Sequence, residues 1–171
     1  MATEWRDETD PAALYDRDIY AWAERQATTL RRLQASHPNL PLDHAHLIEE
    51  VEGSARRDLG AAKSQLRRLL EHLLKLEHSP TTAPRHQWRR SVRDARNELG
   101  DLLTPTLARA LAPSLPELYS DARANARDDL VQHDEREAAA ALPQSCPYTL
   151  DQLADKTWYP TNRHGLVDEP F

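Results

Sequence analysis

Among 171 residues the chain has one cysteine, one methionine, one phenylalanine and four glycines. With Cys146 alone, an intramolecular disulfide is excluded and nothing points to an oxidising compartment. Branched aliphatics are equally scarce, two Ile (Ile19, Ile48) and four Val (Val51, Val92, Val131, Val167) against abundant Leu and Ala. A chain so poor in strand formers and so rich in helix formers favours an all-α fold. No apolar run approaches the roughly 18 residues of a membrane-crossing helix. The opening MATEWRDETDP lacks the cationic start and apolar centre of a signal peptide, so a cytoplasmic location is expected. There is no Gly-rich phosphate loop, Cys-x-x-Cys pair, His-Glu-x-x-His helix or Gly-x-Ser-x-Gly elbow. Basic residues are outnumbered, 22 Lys and Arg against 28 Asp and Glu for a formal net charge of -6. That balance argues against nucleic acid as the partner of a whole face.

What is present is one long apolar seam. Between His44 and His78, Ile48, Val51, Ala55, Leu59, Ala62, Leu66, Leu69, Leu73 and Leu76 recur at steps of three or four, the period of a helix packed along one side. Gly53 and Gly60 each cost such a helix up to about 1 kcal/mol relative to Ala. The seam keeps phase across both, so one helix is expected, with Asp43 as its N-cap.

Around this spine the pattern predicts a first helix over 12–34 opened by Asp10-Pro11, a third over 85–103 with Trp88, Val92, Ala95 and Leu99 inward, and a fourth over 115–132. A short turn through Leu107 and Leu111 precedes the fourth, and the Ala-rich run 137–141 follows it. Thr149-Leu150-Asp151-Gln152 reads as a capping box opening a small helix. The expected architecture is an antiparallel bundle of about four main helices with a short C-terminal capping segment. It forms a single helical domain over 1–160, followed by a flexible tail over 161–171 on which Phe171 is a candidate to dock.

Five segments taken together, Leu14-Tyr15-Asp16-Arg17-Asp18-Ile19-Tyr20-Ala21-Trp22, Leu47-Ile48-Glu49-Glu50-Val51-Glu52, His72-Leu73-Leu74-Lys75, Trp88-Arg89 and Cys146-Pro147-Tyr148-Thr149-Leu150, resemble a bacterial family catalogued as domain of unknown function 29. The resemblance implies an all-helical fold and no assigned activity. The family usually places an aromatic residue where this chain has Leu76.

Three constellations carry possible chemistry. Glu49, Glu50 and Glu52 near His44 and His46 suggest a metal or acid/base centre with His72, but no Glu-x-x-His pair is present and 20 residues of helix separate Glu52 from His72, roughly 30 Å. Such a centre would need two copies of the chain. The plainer expectation is ion pairing with Arg25, Arg31 or Arg32 of the first helix, with no metal and no cofactor. His72, flanking the Leu-rich seam, then reads as a hydrogen-bonded rim residue. Arg85, Arg89, Arg93 and Arg96, beside Trp88, form a stripe suited to a phosphate backbone or to pairing with Glu71 and Glu77. Cys146 has no His or Asp in a nucleophile's arrangement and reads as a small anchor for the C-terminal segment. The favoured reading is a helical interaction or regulatory module with a protein partner or self-association. An acid/base or metal-dependent enzyme at the Glu and His residues comes second, and nucleic-acid binding through the arginines third.

Overall fold

The computed structural model describes residues 10–168. Among them are eight α-helices and no strand: α1 (Pro11–Arg17), α2 (Ile19–Ser36), α3 (His44–His78), α4 (Arg85–Leu102), α5 (Pro105–Leu111), α6 (Leu115–Gln132), α7 (Arg136–Ala140) and α8 (Leu150–Ala154). A single 3-10 turn, Ala112–Ser114, joins α5 to α6. The spine is one 35-residue helix, as its unbroken seam requires, and no helix is long and apolar enough to cross a membrane. The described residues divide into two compact units, 10–61 with 103–110, and 62–102 with 111–168.

In the first unit the expected helix over 12–34 is two helices. Asp18 leaves helical geometry (φ -151°, ψ 83°) and turns its carboxylate into a cap, accepting from the Ala21 amide at 2.9 Å, the Thr104 hydroxyl at 2.8 Å and the Thr106 amide at 3.3 Å. These donors hold the Asp18 carboxyl below the usual carboxylate range even though burial, the largest single influence, pushes it up. Asp, competent to cap, breaks the helix because partners 86 and 88 residues away complete the cap. Tyr20, Ala23 and Ala27 of α2 are buried, as is Ala55 of α3. Arg31, late in α2, pairs with Glu52, early in α3, so the two helices run antiparallel.

In the second unit α4 folds back along α3. Gln65 donates to Glu98, and Arg85 donates to the Leu76 carbonyl at 2.9 Å, which fixes the antiparallel register. The fourth long helix departs from the expected up-and-down order. Arg67 faces Asp121, Asn125 donates to Glu71, and Lys75 donates to Asp129, each partner 54 residues on, so α6 lies parallel to α3 in constant register. This follows from the route between α4 and α6, which passes through α5 instead of turning directly back. The core holds Leu66, Leu69, Leu73 and Leu76 of the seam, but also Leu70 and Leu74, because α3 is flanked by two helices here and its apolar face widens.

The end of α3 is closed by distant residues. Pro80 stops the helix and leaves carbonyls without helical partners. Asn162, buried, donates its carboxamide to the Leu76 and Ser79 carbonyls at 2.8 and 2.9 Å, the Arg163 amide donates to the Glu77 carbonyl, and His164 Nε2 meets the His78 carbonyl at 2.9 Å. Asn162, Arg163 and His164 of the expected tail therefore carry these bonds. Phe171 lies outside the described residues.

Candidate functional site

One cleft lies in the second unit, an open cavity of about 730 Å³ where α3, the loop before α4, α4 and the end of α6 meet. Its floor is set by the 54-residue register. Lys75, 3% exposed, lies between Glu71 (2.8 Å) and Asp129 (2.7 Å), with its ammonium 5.7 Å from the centre of the Trp88 ring. A buried ammonium is tolerated only when paired and hydrogen-bonded, and here one contact is the i,i+4 neighbour and the other comes from α6. At the rim Thr81 donates to Glu135, whose second oxygen, Oε2, is buried without a hydrogen-bond partner. Ala83, Pro84 and Leu130 add apolar wall.

His72 lines the same cleft. Its Nδ1 is buried with no hydrogen-bond partner, so the expectation of a hydrogen-bonded rim histidine does not hold at this atom. Burial, seconded by the Lys75 charge, lowers its pKa from 6.5 to about 4 against the opposing pull of Glu71. The imidazole is neutral at pH 7. Three carboxylates, Glu71, Asp129 and Glu135, thus line the cleft together with Lys75, a neutral His72 and His133.

The glutamates that the sequence singles out lie elsewhere. Glu49 and Glu50 are exposed on α3 in the first unit, and Glu52 is half-buried, paired to Arg31 and 3.8 Å from Arg56. Of the pairs expected with Arg25, Arg31 and Arg32, that with Arg31 is formed. Among the described residues no group of three or more His, Cys, Asp and Glu side chains is placed to hold a metal ion.

The arginines do not form one exposed stripe. Arg85 and Arg96 are buried. Arg96 donates to the Leu153 and Gln152 carbonyls at 3.0 and 3.2 Å, which anchors α8, and stacks 4.9 Å from the Tyr159 ring centre. Arg85 and Arg89 both reach Asp168, whereas Arg93 is exposed with its guanidinium 3.9 Å from Asp94. The expected acidic partners are engaged otherwise: Glu71 holds Lys75, and Glu77 accepts from Tyr148 at 2.6 Å and Arg163 at 3.1 Å. Trp88 is half-buried as a wall of the cleft. Cys146 is half-buried, donates weakly to the Tyr148 carbonyl at 3.4 Å, and has its thiol pKa raised by burial, consistent with an anchor.

Sequence reasoning missed the floor of the cleft. Its signal was Lys75 set between Leu74 and Leu76 with Glu71 one turn back, a cation inside an apolar run; Asp129 and Glu135 have no local mark.

Comparison with curated proteins returns no match. Among solved structures the chain is similar to an alpha-helical protein of unknown function from Rhodospirillum rubrum ATCC 11170, with 27% identity, a TM-score of 0.76, and coverage of 84% of this chain and 90% of that one. The family model described as Domain of unknown function DUF29 matches residues 14–159, a span that takes in most of both helical units, and the chain belongs to that family.

Proposed function

We propose that this protein is a helical interaction module, and that the cleft beside α3 seats a basic side chain of a protein partner. The observation that carries the reading is the excess of carboxylate over cation: Lys75 neutralises one negative charge, and Glu71, Asp129 and Glu135 supply three. A cleft of this charge, walled by an indole, favours an organic cation through ion pairing and the ring's negative face. Guanidinium suits it well, since a flat fork of donors can serve several carboxylate oxygens while lying against an aromatic wall. Lys75 itself supports the reading, because an ammonium is already held there by the same kinds of group. The polar, acidic sequence with a single cysteine supports a cytoplasmic setting.

The test is an NMR titration of the full chain, following the Trp88 indole N–H and the backbone amides of Lys75 and Asp129. The probes are N-acetyl-arginine methylamide, its neutral norleucine counterpart and N-acetyl-glutamate methylamide. Saturable shifts with the arginine probe, at least tenfold weaker in Glu135→Gln and absent with the other two, are expected. Equal responses to all three probes, or none to any, would refute the reading.

A further inference from the structure

A second site lies on α4, and it concerns anions. Arg85 is buried and fixed from within: its Nη1 donates to the Leu76 carbonyl at 2.9 Å, leaving Nε and Nη2 as a two-pronged fork. Arg89, one helical turn later, is held with its guanidinium carbon 4.2 Å from the centre of the Tyr159 ring. Both converge on one carboxylate. Asp168 accepts from Arg85 Nε at 2.6 Å and Nη2 at 2.7 Å, and from Arg89 Nη1 at 3.2 Å. The bidentate geometry is the one by which arginine recognises carboxylate and phosphate groups.

Receptor and occupant are held very differently. The arginines are positioned by a carbonyl and a ring that do not involve Asp168. The strap bearing Asp168 is tied at Leu166, whose amide donates to Asn162 Oδ1 at 3.3 Å. Beyond that point no backbone hydrogen bond among the described residues fixes Val167 or Asp168, and Val167 is 93% exposed. Among the described residues past Leu166, the Asp168 carboxylate is the attachment. Its pKa is lowered, chiefly by the Arg85 hydrogen bonds, so it stays ionised throughout the neutral range. A hollow of about 250 Å³ adjoins the pair, with room for more than a carboxylate.

We infer that the Arg85 and Arg89 pair is a carboxylate-binding site whose resident ligand is the chain's own Asp168, displaced when an acidic group of another molecule binds. A two-residue tether gives Asp168 an effective concentration on the order of millimolar, so a free carboxylate competes at a disadvantage until the strap is released. This site is separate from the cation cleft and does not depend on it.

The experiment follows the Nε–Hε resonances of Arg85 and Arg89 in the parent chain and in Asp168→Asn, titrated with N-acetylglycinate and, in parallel, with inorganic phosphate, against sodium chloride at equal ionic strength. In Asp168→Asn the carboxylate should saturate with a Kd at least tenfold tighter than in the parent. Adding Arg85→Lys should abolish saturation; if that variant is unfolded, Arg89→Gln, at the less buried arginine, should weaken it at least threefold. Saturation by N-acetylglycinate supports the site whether or not phosphate also binds. Equal affinity in parent and variant, no saturable response in Asp168→Asn, shifts reproduced by chloride, or saturation by phosphate alone would each overturn the assignment.

Discussion

Acidification should unfold the second unit partly through His72. In the unfolded chain the imidazole titrates near 6.5, whereas in the folded cleft burial and the neighbouring Lys75 bring its pKa to about 4. Because the folded state resists protonation, the contribution of His72 to stability is complete above pH 6.5 and falls away as the pH drops toward 4. At pH 5 the imidazole is almost wholly protonated when unfolded and almost wholly neutral when folded, which amounts to about 2 kcal/mol lost relative to pH 8. His72→Gln keeps a polar side chain of similar length and removes the titration. Urea unfolding followed by circular dichroism should therefore show the parent losing about 2 kcal/mol more than His72→Gln between pH 8 and pH 5. Stabilities that fall in parallel, within about 0.5 kcal/mol, would show that His72 is not held neutral by the fold.

Replacing Arg96 by Met keeps most of the stem volume but strands the Leu153 and Gln152 carbonyls. A loss of about 2 to 3 kcal/mol in urea unfolding is expected, and a loss under about 0.5 kcal/mol would show that those carbonyls do not depend on Arg96. Gly60, exposed within α3, has nothing within 4 Å of where a Cβ would stand, so Gly60→Ala should raise stability by up to about 1 kcal/mol, whereas Gly165→Ala, at φ +73°, should lower it. A thermal shift of the opposite sign at either glycine would contradict the backbone assignment there.

The helical class was legible in the sequence, and with it the continuity of α3 and the capping box at Thr149, because each depends on spacing within a few residues. The parallel course of α6 was not legible. Short connections suggest antiparallel neighbours, and only the 54-residue ladder of Arg67, Glu71 and Lys75 with Asp121, Asn125 and Asp129 reveals the alternative. The same non-locality hid both proposed sites. The arginines at 85, 89, 93 and 96 share a spacing, yet their surroundings differ because Asp168, Tyr159 and α8 arrive from the far end of the chain. Likewise, Asp18 carries an ordinary capping residue's signature, but its role as a helix break depends on Thr104 and Thr106.

The closure of α3 by Asn162 and His164 also sets an order of events during synthesis. Their bonds to the Leu76 and His78 carbonyls each span 86 residues. At the usual pace of translation, about 5 to 20 residues per second, the His78 carbonyl waits roughly 4 to 17 s after it emerges before His164 is made. During that interval the spine can coil and α4 can fold back, bringing Arg85 to the Leu76 carbonyl, but the His78 carbonyl remains hydrated. The end of α3 is consequently sealed late, by the arrival of Asn162, Arg163 and His164.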